Sequence, residues 1–96
     1  MNIEDLRSRK QDIIAVVVRH GGKIPVRVFG SVARGEARPD SDIDLLIELG
    51  PDKSGFDRAE LQIDLEELLG VKVDAISPRG LFPPIRDSIL ADAVPL

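Results

Sequence analysis

The stretch that most constrains this chain runs from Val26 to Glu48, VRVFGSVARGEARPDSDIDLLIE. Its pattern predicts a strand, a glycine turn at Gly30-Ser31, a short helix, a loop and a second strand. Asp42 and Asp44 open that second strand two positions apart, so in an extended backbone they project from one face of a sheet. Neighbouring carboxylates repel each other unless a cation lies between them. A glycine ending the first strand lets a ligand approach the backbone, and the N–H groups of the turn that follows suit an anion. An anion cradle facing a carboxylate pair is a site for a metal-bound phosphate.

Composition narrows what that metal and that anion can be. With no cysteine and a single histidine, His20, the 96 residues cannot build a thiolate or zinc centre, so a metal here is expected to be oxygen-ligated, with Mg2+ the first choice. The formal charge of -4 and the presence of only three aromatic residues argue against direct nucleic-acid binding, although a local basic patch around Arg27, Arg34 and Arg38 stays open. Hydrophobic residues at 43% and charged residues at 31% describe a globular chain, short enough to be expected as one domain over residues 1–96. No apolar run approaches the ~20 residues of a membrane span, and acidic Glu4 and Asp5 stand where a signal peptide would be basic. The expected location is the cytoplasm, with no membrane association.

Around the central stretch, Ile3, Leu6, Ile13, Ile14 and Val17 recur at helical spacing and predict one amphipathic helix over 2–20, stopped by Gly21-Gly22. The β-branched run Val16-Val17-Val18 suggests a last turn buried on most sides. His20, at the helix end, reads as a cap or surface residue rather than a general base. Val26 to Phe29 is the first expected strand, Ser31 to about Ala37 a short helix with Ser31 as N-cap, and Ile43 to Glu48 the second strand, its Ile43, Leu45 and Ile47 facing the core. A loop over 50–55 precedes a helix from about Phe56 to Leu69. Val71 to Ile76 is the third strand, 78–84 is irregular, and Ile85 to about Ala93 forms a closing helix whose tail, with Ile89, Leu90 and Val94, is expected to be mostly core. The pattern implies an α/β (α+β) chain with a small mixed sheet and helices packed on it. Three strands are thin for such a sheet, so an extra short strand or a partner surface is expected.

Asp74 is a third carboxylate in an apolar strand, where burial would be costly without a cation. Converging from adjacent strands, Asp42, Asp44 and Asp74 could hold one or two magnesium ions. Arg34, one helical turn after Ser31, could reach a phosphate, a surface salt bridge being the alternative. Ser41 suits a local hydrogen bond that holds the loop before the aspartates, and Arg38 and Lys53 read as solvated loop residues.

Phe29-Gly30-Ser31, then Asp42-Ile43-Asp44-Leu45, then Asp74 in a later strand, resembles the nucleotidyltransferase superfamily that includes DNA polymerase β. Within it, GSVARGEARPDSDIDLLIE is similar to the minimal nucleotidyltransferase (MNT) antitoxins of HEPN/MNT toxin–antitoxin pairs, over nearly the whole chain. The resemblance implies a polymerase β-like fold, magnesium and ATP, and transfer of AMP to a tyrosine of a cognate HEPN toxin ribonuclease in a type VII-like pair. It also implies that Gly30 and Ser31 hold the nucleotide and that Asp42, Asp44 and Asp74 hold metal and are catalytic; Arg34 and Ser41, read from their own positions, are further nucleotide-binding candidates. The chain has no tyrosine of its own, so a tyrosine acceptor must lie on another protein. Two other readings remain: a non-catalytic antitoxin that works by binding alone, and one subunit of a two-protein enzyme that adenylylates a small molecule of the aminoglycoside type.

Overall fold

Asn2 sets where the chain begins to coil. Its side chain accepts from the backbone N–H of Asp5 at 2.8 Å while the Asp5 carboxylate accepts from the N–H of Asn2 at 3.0 Å, a reciprocal cap on helix α1 (Ile3–Ser8). The computed structural model describes residues 1–79 and 81–96. In it the single helix expected over 2–20 is two, α1 and α2 (Lys10–Arg19), broken at Arg9 with φ -109° and ψ 16°. Ser8 donates its hydroxyl back to the Asp5 carbonyl at 2.6 Å, and the Arg9 guanidinium donates to the Leu68 carbonyl at 2.9 Å. Both side chains draw the backbone out of a straight helix. Leu6, Ile13, Val16 and Val17 are buried, but Val18 is 56% exposed, so the β-branched turn has a wet side that the sequence did not suggest.

The expected extra strand is present. The sheet has the order β3 (Val73–Ile76), β2 (Ile43–Leu46), β1 (Arg27–Phe29), β4 (Val94–Pro95). β2 and β3 are parallel, whereas β1 runs antiparallel to both β2 and β4. The parallel pair needs a crossover, which is helix α4 (Gly55–Leu69). The three expected strands are present but shorter than read, and beyond β2 the chain continues only as an isolated bridge, Gly22 to Leu49. Ile43, Leu45 and Ile47 point into the core as expected, against Ile13, Val17, Leu61 and Leu65, all at most 1% exposed.

α4 does more than cross over. Its N-cap is Ser54, whose N–H bonds Asp57 Oδ2 at 2.7 Å, and one stripe of the helix then covers the open side of β3. Gln62 Oε1 accepts from Ala75 N at 3.1 Å, Glu66 Oε2 accepts from Val73 N at 3.1 Å, and Arg58 Nη1 donates to the Ala75 carbonyl at 3.0 Å. Positions 58, 62 and 66 follow the four-residue helical spacing, so one row of side chains satisfies a strand edge that would otherwise be free to pair with another chain.

Between β1 and β2, helix α3 is only Gly30–Ala33. This corrects the expectation of a helix over 31–37 capped by Ser31: the N-cap position falls on Phe29, with no side-chain capping bond. Helix α5 (Pro83–Asp92) begins two residues before Ile85, since proline is tolerated in a first helical turn. Of the irregular stretch expected over 78–84, Gly80 lies outside the described residues. α5 packs on β1 and α3 yet has no buried residue, and Ile85 and Leu90 are exposed. Its tail is therefore less of the core than expected, with Ile89 and Val94 half-buried. Among the described residues no helix is long and apolar enough to cross a membrane.

Candidate active site

The register of the sheet brings the candidate residues together. Asp44 in β2 lies directly beside Asp74 in β3 and, on its other side, beside Phe29, the last residue of β1. Side chains opposite one another in a register share a face, so Asp44 and Asp74 stand side by side. That face also carries Phe29 and Leu46, both buried, and the half-buried Arg27, which lies opposite Leu46 in the register. Asp42 precedes the strand by one residue and is exposed.

Gly30 follows Phe29 with φ +72°, a left-handed conformation that a β-carbon disfavours. It also has no room for one: a β-carbon would overlap Oδ2 of Asp44 and stand 3.1 Å from its Cγ. The bare Cα lets the turn close onto the carboxylate, which links the glycine turn and the aspartate strand into one site.

Electrostatics mark the same place. Partial burial pushes the Asp44 carboxyl above the usual carboxylate range, Asp74 and then Asp42 add to the shift, and Arg34 opposes it. Asp44 is thus held among two like charges and one opposite one. Asp74 itself is exposed, which corrects the expectation of a buried carboxylate: it lies on the solvent side of the edge strand, its neighbours Val73 and Ala75 buried. No group of three or more metal-ligating side chains is gathered closely enough among the described residues to hold an ion as it stands. The donors are all carboxylate oxygens, the set a hard cation prefers, and Mg2+ is commonly held by one or two carboxylates together with substrate phosphates. The mutual repulsion around Asp44 is what such an ion relieves, so the residues present fit it.

The other candidates are placed as follows. Ser31 is half-buried in the turn, its carbonyl accepting from Glu36 N at 2.8 Å. Ser41 Oγ accepts from Arg38 N at 2.8 Å, the local bond anticipated for it, which holds the loop ahead of Asp42. Arg34 is engaged in ion pairs, through Nη1 with Asp92 Oδ2 at 2.7 Å and through Nε with Glu36 Oε2 at 3.2 Å. His20 lies elsewhere, its Nε2 2.6 Å from Asp64 Oδ2, tying the end of α2 to α4 as a structural residue. Asp92 went unnoticed in the sequence. A signal was available, because a carboxylate at the C-terminal end of a helix opposes the helix dipole unless a cation answers it.

Residues 7–95 match the nucleotidyltransferase domain family. The chain belongs to that family. This nucleotidyltransferase is 42% identical over 94 residues to a candidate protein adenylyltransferase of Methanocaldococcus jannaschii, covering 98% of this chain and 97% of that one. Over 69 residues it is 39% identical to the protein adenylyltransferase MntA of Thermococcus cleftensis, 72% of this chain and 70% of the relative. Among solved structures it resembles a candidate minimal nucleotidyltransferase at 50% identity with a TM-score of 0.86, over 100% of this chain and 97% of that one. A more distant likeness, of fold alone, is to a complex described as a tri-AMPylated Shewanella oneidensis HEPN toxin with its MNT antitoxin: TM-score 0.71, 18% identity, 93% of this chain and 69% of that one. The mixed sheet and its helices are those of a minimal nucleotidyltransferase, as the sequence implied.

Proposed function

We propose that this nucleotidyltransferase is the antitoxin of a HEPN/MNT pair and transfers AMP from ATP to a tyrosine of its cognate HEPN toxin ribonuclease in the cytoplasm. The observation that carries the reading is the junction of Gly30 with Asp44 and of Asp44 with Asp74, a glycine turn closed onto paired carboxylates. The adenylyltransferase names of relatives that match most of the chain support the nucleotide and the acceptor class.

In this reading the turn at Gly30 and Ser31 receives the triphosphate, its backbone N–H groups unobstructed by a side chain. Asp42, Asp44 and Asp74 would hold magnesium in this site. When bound, magnesium supplies charge neutralisation at phosphorus and acidity to the acceptor hydroxyl. The acceptor oxygen attacks the α-phosphorus, the bond to the β-phosphate oxygen breaks, and pyrophosphate and a proton leave. The chain's own part is to position groups and balance charge, which suffices for phosphorus chemistry. Having no tyrosine, it cannot be its own tyrosine acceptor.

The test is the intact mass of the co-purified partner after incubation with ATP and magnesium, beside an Asp42→Asn, Asp44→Asn double variant. A gain of whole AMP units that the double variant lacks supports the reading. An unchanged mass in an intact complex would sink it and favour neutralisation by binding alone.

A further inference from the structure

Arg34 is the cation whose charge acts on Asp44 beside the anion turn, yet it is already answered twice. It follows Gly30 by one helical turn, its N–H donating to the Gly30 carbonyl at 3.1 Å, and it carries Asp92 on Nη1 and Glu36 on Nε. The two carboxylates are not equivalent. Glu36 is a close neighbour in sequence with a side chain 65% exposed, a geometry in which ion pairs contribute little. Asp92 comes from the last turn of α5, its side chain is 38% exposed, and its bond is the shorter at 2.7 Å. It also sits at the negative end of its own helix, where a carboxylate is unfavourable unless a cation meets it. Arg34 is that cation, and the pair joins α3 to α5.

In this arrangement the guanidinium is committed to carboxylates, the partners a triphosphate would have to compete with. Asp74 and Asp42 act on Asp44 beside the turn, Arg34 is the cation that opposes them there, and that cation is itself held by Glu36 and Asp92. We propose that Asp92 is a positioning residue that withholds Arg34 from the nucleotide, and that the triphosphate must displace it to engage the guanidinium. This rests on the reading above, in which the turn at Gly30 and Ser31 takes a triphosphate. Arginine binds phosphate in the same forked geometry as carboxylate, so the exchange replaces one partner by another without leaving the guanidinium bare. Asp92 touches none of the reacting groups, so it sets nucleotide affinity and leaves the transfer step alone.

The experiment is a double-mutant cycle on affinity for a non-hydrolysable ATP analogue with magnesium, using wild type, Asp92→Asn, Arg34→Ala and the double variant. Asp92→Asn tightens binding about three- to fivefold, as expected for releasing one half-exposed ion pair, and the gain disappears when Arg34 is alanine. KM for ATP falls in step while kcat stays unchanged. Asparagine nearly matches aspartate in shape, and in the wild type the Arg34 Nε resonance independently reports the exchange by moving when the analogue is added. Unchanged or weaker binding by Asp92→Asn, the same gain without Arg34, or an Arg34 Nε signal unmoved by bound analogue would each overturn the proposal while leaving the transferase reading intact. Failure of wild type and all variants to bind the analogue would overturn both.

Discussion

Gly30 and Asp44 occupy each other's contact shell: a β-carbon on the glycine would overlap Oδ2 and stand 3.1 Å from Cγ. The glycine turn and the acidic strand thus meet in direct contact at the site. Gly35 offers the natural control, since its φ of +73° is nearly the same and a β-carbon there would meet nothing within 4 Å.

Gly30→Ala and Gly35→Ala should therefore separate backbone strain from site geometry. Both lose about 1–2 kcal/mol of stability from placing alanine in a left-handed conformation. Gly30→Ala must in addition push Asp44 aside, and its AMP transfer should fall on the order of 100-fold, comparable to losing one positioned electrostatic contact in a transition state. Gly35→Ala should transfer at close to the wild-type rate. Denaturant unfolding and a transfer assay on the same preparations check this, and equal activity of the two variants would contradict the account.

Asp44 should weaken the metal-free fold that it serves. Burial, with Asp74 and Asp42 beside it, raises its carboxyl above the ordinary value, so the folded chain binds the proton more tightly than the unfolded chain. Its contribution is then favourable below the ordinary carboxylate pKa and is lost as pH rises through the raised folded value. Asp44→Asn should accordingly raise the thermal midpoint at neutral pH without magnesium and flatten the fall in stability on the way up from acid pH, while abolishing transfer. Melting curves of both proteins across pH 3 to pH 7, the range roughly spanned by ordinary and raised carboxyl groups, make the comparison. A lower midpoint for the variant at neutral pH would refute it.

His20 and Asp64 should matter for the fold and not for the chemistry. The hydrogen bond from His20 holds the Asp64 carboxyl below its usual range, with Arg19 adding to the effect. The sign is opposite to that of Asp44: this stabilisation is present above the ordinary carboxylate pKa and is lost as pH falls through the lowered folded value. His20→Ala should lower the thermal midpoint at neutral pH, narrow that difference in acid, and leave the transfer rate within about twofold of wild type, the usual behaviour of a substitution remote from the reacting groups. A larger loss of rate at full folding would mean that the histidine has a part in the reaction.

Local chemistry alone determined much of this protein. The two-residue spacing of Asp42 and Asp44, the alternation of Ile43, Leu45 and Ile47, and the Gly30-Ser31 turn made a strand and a glycine corner legible as the candidate site, because strand period and backbone freedom are properties of short segments. Ser41 was likewise legible, its bond to Arg38 N spanning only three residues. What depended on partners distant in sequence was not. The break at Arg9 involves a bond to Leu68, the edge of β3 is covered by a row of side chains on α4, and the exposure of Asp74 follows from β3 lying at the rim of the sheet. The parallel register sets Asp74 beside Asp44, the convergence that was expected, but only the packing of α5 on α3 brought Asp92 to Arg34 across 58 positions of chain. A sequence specifies which groups are present and how a short segment directs them; which distant charges meet is decided by how the elements pack, since that contact exists only once the whole core has formed.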